Sequence, residues 1–159
     1  MVIPEKQFPT DDHRWMNEAL HEALRGSEEG EVPVGAVVVH GKRIIGRGHN
    51  RTEALNDPTA HAEIIALGAA GEALGSWRMP DAVLYVTLEP CMMCAGAVLI
   101  SRIGRLVFAA RDDVNGACGS RYDLLSDARL SGKIAVSEGT MGDDSTRLLQ
   151  EFFSKLREK

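Results

Sequence analysis

Two short motifs thirty positions apart, His61-Ala62-Glu63 and Pro90-Cys91-Met92-Met93-Cys94, set the strongest constraint on how this chain can fold. One imidazole and two thiols form a ligand set for a single metal, and Glu63 is a carboxylate that need not coordinate. A structural zinc site closes with four side chains, whereas a catalytic one uses three and leaves the fourth place to water. The pattern therefore predicts hydrolytic zinc chemistry, provided that the fold closes the gap between the motifs.

The rest of the sequence suggests how it closes. Trp15, Met16, Ala19, Leu20, Ala23 and Leu24 recur at helical spacing behind Asp11 and Asp12, either of which fits an N-cap. Val34 to Val39 and Arg43 to Gly46 are β-rich runs around His40-Gly41-Lys42, the pattern of a hairpin. Asp57-Pro58 is expected to open a second helix, with aspartate as N-cap and proline in the first position, so that His61 and Glu63 lie in its first turns. Gly75 to Pro80 ends it, Val83 to Thr87 is a buried strand, and Pro90 is expected to begin a third helix. Leu106 to Ala110 reads as another strand, Asp112 to Ser120 as a loop, and Ile134 to Val136 as a last edge strand. Leu148, Leu149, Phe152, Phe153 and Leu156 give the C-terminal segment one apolar stripe.

Strands alternating with helices predict a three-layer α/β/α fold around a mixed, mostly parallel sheet of about five strands. If the strand before Asn50 runs parallel to Val83–Thr87, the helices that follow both begin at one carboxyl edge, where ligand sites gather. His61 and Cys91 then meet. Cys91 and Cys94, three apart at a helix start, share a face, and the positive end of the helix favours thiolate. Ionised, Glu63 can take a proton from zinc-bound water and later deliver it to a substrate nitrogen.

At 159 residues the chain matches one domain, with residues 1–10 expected to be loosely ordered and without the apolar run of a signal peptide. A soluble, cytoplasmic protein is expected. Three cysteines, two of them in a C-x-x-C spacing, fit a reducing compartment, and Cys118 reads as a small buried thiol in a loop distant from the metal. A net charge of −5 excludes a protein that coats nucleic acid without preference, so any RNA contact must be local. The cations between Arg102 and Lys133, and those at Lys155, Arg157 and Lys159, fit a solvated face as well as an RNA surface.

H-x-E followed by P-C-x-x-C is the signature of zinc deaminases acting on bases. From Glu31 to Ser120 the chain resembles the bacterial tRNA adenosine deaminases of TadA type, in the cytidine/deoxycytidylate deaminase superfamily. The resemblance runs through Glu31-Val32-Pro33-Val34-Gly35-Ala36, His49-Asn50-Arg51, Asp57 to Glu63, Tyr85 to Cys91, Cys94-Ala95-Gly96 and Ser101-Arg102-Ile103. It implies hydrolytic deamination of the wobble adenosine of a tRNA anticodon to inosine and ammonia. His61, Cys91 and Cys94 would hold one zinc ion, and Glu63 would shuttle protons. Asn50 and Ala62 would meet the base, Asp112 would lie near the flipped nucleotide, and Phe152 and Phe153 would flank the RNA of a homodimer. From spacing alone, Asn50 also fits a turn and the two phenylalanines fit core packing.

Two segments depart from the family pattern. Ser131-Gly132 stands where many relatives have Asn-His, and Asp113-Val114-Asn115-Gly116 replaces a Lys-Gly turn after Asp112. Deaminases of free nucleobases or nucleosides, such as guanine deaminases, share H-A-E, P-C-x-x-C and the upstream asparagine, and remain the alternative. A non-enzymatic zinc scaffold needs a fourth protein ligand, which no further Cys/His motif supplies.

Overall fold

The computed structural model describes residues 11–130 and 133–159. In chain order they form α1 (Asp12–Glu28), β1 (Gly35–His40), β2 (Arg43–His49), α2 (Thr52–Leu55), α3 (Ala62–Leu74), β3 (Ala82–Leu88), α4 (Met92–Ile100), β4 (Arg105–Ala110), β5 (Ala135–Glu138) and α5 (Gly142–Arg157). One sheet holds the five strands in the order β2-β1-β3-β4-β5. β1 pairs antiparallel with β2 and β3, while β3 with β4 and β4 with β5 are parallel pairs. Only β1 is reversed. β2 and β3 thus run the same way, as the meeting of the two motifs requires. Residues 1–10 and Ser131-Gly132 lie outside the described residues.

Alternation along the strands sorts the core into two layers. Ala36, Val38, Leu84, Val86, Leu106 and Phe108 face α3 and α4, where Ala62, Ala66, Ala70, Ala95 and Val98 meet them. Val37, Val39, Val83, Tyr85, Val107 and Ala109 face α1, which buries Trp15, Met16 and Ala19. Because β3 is covered on both sides, its apolar run is nearly continuous. The outcome is the expected three-layer α/β/α architecture. No helix among the described residues is long and apolar enough to cross a membrane.

β2 extends past the predicted Gly46 to His49, and glycine explains why its apolar pattern was weak. A Cβ on Gly46 would stand 2.2 Å from the Ala66 carbonyl oxygen, and one on Gly48 would stand 2.5 Å from that of Ala62. Missing side chains let α3 lie directly on β2. This contact brings the start of α3 to the end of β2.

Both predicted helix starts move toward the C-terminus. Asp57 does not cap α3: its Oδ1 accepts the Thr59 N–H at 2.8 Å and the Thr59 hydroxyl at 2.7 Å, closing a local turn. His61 is the N-cap, with extended backbone at φ −80° and ψ 153°, and helical bonding begins when Ile65 N–H reaches the His61 carbonyl at 3.1 Å. Pro90 likewise precedes α4. Cys91 is that helix's N-cap, so each motif places a candidate metal ligand on the residue that enters its helix.

Candidate active site

At the carboxyl edge of the sheet the starts of α3 and α4 face each other. His61 Nδ1 lies 3.6 Å from Cys91 Sγ and 3.5 Å from Cys94 Sγ. One ligand atom from each of the three residues lies within 4.8 Å of the other two, and Cys94 is fully buried. Thirty residues of separation are closed by two helix N-termini. The three converge as the spacing predicted.

The electrostatics of the cluster suit a cation. Hydrogen bonds from Cys94 and then His61 hold the Cys91 thiol down to about 3, against the opposing effect of burial. Cys94 is pushed upward by its bond to Cys91 and by burial, and His61 is raised, first by its bond to Cys91. One thiolate thus collects the protons of its two neighbours. The three side chains would hold a divalent cation as deprotonated donors, and its charge would take the place of these shared protons.

Glu63 is only 4% exposed, on the second residue of α3, and its carboxylate meets the Cys94 thiol. Burial pushes its pKa up to about 7, with Cys91 adding to the rise and its own backbone N–H, His61 and Cys94 opposing it. Such a group can both take and give a proton near neutral pH. Around it opens a cavity of about 640 Å³ whose walls include Asn50, His61, Glu63, Cys91, Met92, Asp112, Val114, Arg121 and Tyr122.

Asn50 and Ala62 are tied together. Asn50 Oδ1 accepts the Ala62 N–H at 3.0 Å, so the residue after β2 caps the first turn of α3 from twelve positions away. This leaves the carboxamide NH2 as the donor of Asn50. Asp112 lines the cavity, and its Oδ1 accepts the N–H groups of Val114 at 3.0 Å and Asn115 at 3.1 Å, which shapes the loop after β4. Phe152 and Phe153 do not line the cavity. They stack edge to face at 5.5 Å on α5, with Phe153 43% exposed, while Leu149 carries the packing of that helix against the core.

Two buried carboxylates were given no role by the sequence pattern alone. Glu89, 2% exposed, accepts the N–H groups of Asp112 at 3.3 Å and of Cys118 and Ser120 at 3.1 Å each, together with the Ser120 hydroxyl. Glu31 accepts from Thr52 Oγ1 and from the N–H groups of Glu53 and Ala54, and so caps α2. Each stands one residue from an apolar run and close before a proline, a place where a carboxylate needs partners. Cys118 is buried as expected but is not distant: its N–H reaches Glu89, and its thiol lies 3.9 Å from the Pro90 carbonyl oxygen. It still lies outside the cluster of His61, Cys91 and Cys94. Burial, then neighbouring carboxylates, push the Cys118 thiol up, so it stays protonated.

Known proteins are similar to this chain over most of its length. The model of the MafB19-like deaminases matches residues 10–157. The tRNA-specific adenosine deaminase of Bacillus subtilis (strain 168) is 44% identical over 150 residues, covering 94% of this chain and 93% of its own length. A structure solved in a study of A-to-I editing by tRNA:A34 deaminases at the wobble position of transfer RNA superposes with a TM-score of 0.83 at 46% identity, over 86% of this chain and 99% of that one. A guanine deaminase from Nitrosomonas europaea superposes at 0.79 with 26% identity, over 95% of this chain and 89% of that one. With a deaminase model matching residues 10–157 and relatives this similar over most of their length, the chain belongs to the tRNA-specific adenosine deaminases.

Proposed function

We propose that this chain hydrolytically deaminates the wobble adenosine of a tRNA anticodon to inosine, releasing ammonia, with one zinc ion held by His61, Cys91 and Cys94. The convergence of those three ligands beside a buried, proton-exchanging Glu63, in a chain of this family, carries the reading. The donor set fits zinc in distance as well as type. Bonds of about 2.3 Å to sulfur and about 2.05 Å to nitrogen at tetrahedral angles set sulfur and nitrogen about 3.6 Å apart. The pairs here stand at 3.5 and 3.6 Å.

Zinc bound there supplies a Lewis acid that lowers the pKa of water toward neutrality. The residues of the chain do the rest. The Glu63 carboxylate takes the proton released as water attacks C6 of the purine, and returns it to the departing amino nitrogen. Burial favours this exchange by making the carboxylate a better base. The Asn50 amide donates to an acceptor on the purine edge while its oxygen holds Ala62, so the floor and the reading group move as one unit. Asp112 shapes the wall beside the flipped nucleotide, and the exposed edge of Phe153, with Phe152 against it, flanks the RNA. We propose the cytoplasm as its place of action.

The decisive assay offers purified protein an anticodon stem-loop with a wobble adenosine and, separately, guanine, adenosine, cytosine and cytidine. Inosine and ammonia from the stem-loop alone are expected. Ammonia from guanine without any from RNA would replace this reading by the one that the likeness to the Nitrosomonas guanine deaminase favours. The resemblance to the family also supports a homodimer, and Trp77 in the loop after α3 and Ile100 at the end of α4 are exposed apolar residues available to such a contact. Light scattering should give twice the 17.3 kDa chain mass, and a monomer at micromolar concentration would refute the dimer.

A further inference from the structure

Among the described residues lining the cavity, Arg121 is the one arginine or lysine, and next to it stands Tyr122. Tyr122 is 51% exposed, and neither side chain makes a hydrogen bond or ion pair with another described residue. Their backbone, by contrast, is held firmly. The N–H groups of Arg121 and Tyr122 both reach the Gly116 carbonyl, at 3.0 and 3.1 Å, and the Tyr122 carbonyl accepts the Gly119 N–H at 2.9 Å. Gly116 itself is locked beneath Glu89, since a Cβ there would stand 2.2 Å from Glu89 Oε2. A rigid loop therefore displays one cation and one aromatic ring, both without partners, on the wall of the reaction cavity.

We infer that Arg121 and Tyr122 form a subsite for the nucleotide next to the target adenosine, Tyr122 stacking on its base and Arg121 meeting a phosphate. This rests on the RNA reading proposed above and deepens it. Flipping one base into a pocket leaves its neighbours at the mouth with a face unstacked, and an aromatic ring there is a sequence-tolerant partner. The chain carries a net charge of −5, so an RNA backbone approaching this cavity needs a local cation. Loop preorganisation makes the subsite effective, because holding Tyr122 costs no ordering at the moment of binding.

The test compares wild type with Tyr122→Ala, Tyr122→Phe and Arg121→Ala on the wobble-adenosine stem-loop, and on stem-loops made abasic at the 5′ or 3′ neighbour. Tyr122→Ala should raise KM about tenfold or more with kcat little changed, and Tyr122→Phe should restore it. Removal of the neighbouring base should cost wild type the same factor at one of the two positions and cost Tyr122→Ala nothing further. Arg121→Ala should lower the salt dependence of RNA binding by about one ion. If wild type edits the stem-loop and Tyr122→Ala has an unchanged KM, or the abasic penalty is the same in both proteins, the subsite is overturned and the RNA reading stands. If wild type leaves the stem-loop unedited, both fall. Because Tyr122 is largely exposed, the alanine variant should fold; circular dichroism and an unchanged metal content check this.

Discussion

The floor and the wall of the cavity each centre on a buried glutamate, and the two are built on opposite principles. On the floor, Glu63 sits at the start of a helix, loses its hydration, and has its pKa pushed up to about 7. In the wall, Glu89 lies equally deep, yet it gathers three backbone N–H groups and a hydroxyl from the loop after β4. A carboxylate surrounded by donors organises the loop that donates to it. One short of donors is free to exchange a proton. Burial alone therefore does not mark a catalytic acid; the supply of donors separates the proposed reacting group from the structural one.

Glu63→Gln should produce the largest change. The amide keeps the size of the side chain but neither accepts nor returns a proton, so kcat should fall by roughly 10²- to 10⁴-fold. Metal content should be unchanged, since no ligand is altered, and the urea midpoint should hold or rise, because a poorly solvated charge is gone. Metal analysis, steady-state kinetics and unfolding on one preparation measure all three. Retained turnover would remove Glu63 from the proton transfer. Loss of metal would instead make it part of the cluster.

Glu89→Gln reverses the expected pattern. Its new NH2 faces N–H donors, leaving buried groups unpaired at a cost of about 2 kcal/mol, which a shift in the urea midpoint would register. The loop carrying Asp112, Arg121 and Tyr122 loosens, so KM for RNA should rise several-fold while kcat falls far less than in Glu63→Gln. Equal loss of kcat in the two variants would erase the distinction between floor and wall.

Which of these features were legible in the sequence depended on range. Strand and helix cores followed from local periodicity: Val83 to Thr87 and the stripe from Trp15 to Leu24 lie in their predicted elements. The cluster of His61, Cys91 and Cys94 was legible too, because an imidazole and two thiols at fixed spacing leave few chemical options. Helix starts were not. Asp57 looked like a cap but found Thr59 two residues on, while the group that does meet the first N–H of α3 is Asn50, at the end of another strand. Glu89 was invisible for the same reason: its partners lie 23 to 31 positions away on a loop whose path periodicity does not encode. Cys118 shows both sides, since its burial followed from residue type while its approach to Pro90 depended on that path.

The face opposite the cavity supplies the smallest effect and a control. Asp12 on α1 receives Arg105 through both carboxylate oxygens at 2.7 Å each, and the Tyr85 hydroxyl donates to it at 2.9 Å. Burial raises its pKa, but the bonds from Arg105 and Tyr85 and the charge of Arg105 outweigh that and hold it below the ordinary 3.8. A carboxyl depressed in the folded state adds stability that is full above its unfolded value and vanishes as pH falls through the folded one. Wild type should therefore exceed Asp12→Asn by about 1 kcal/mol at neutral pH, the scale of a partly exposed ion pair. The difference should close as pH falls below the ordinary aspartate range, with kcat and KM for RNA unmoved throughout. An activity change in Asp12→Asn would mean that α1 reaches the cavity through β3, so that floor and wall could no longer be treated as separate from the layer behind them.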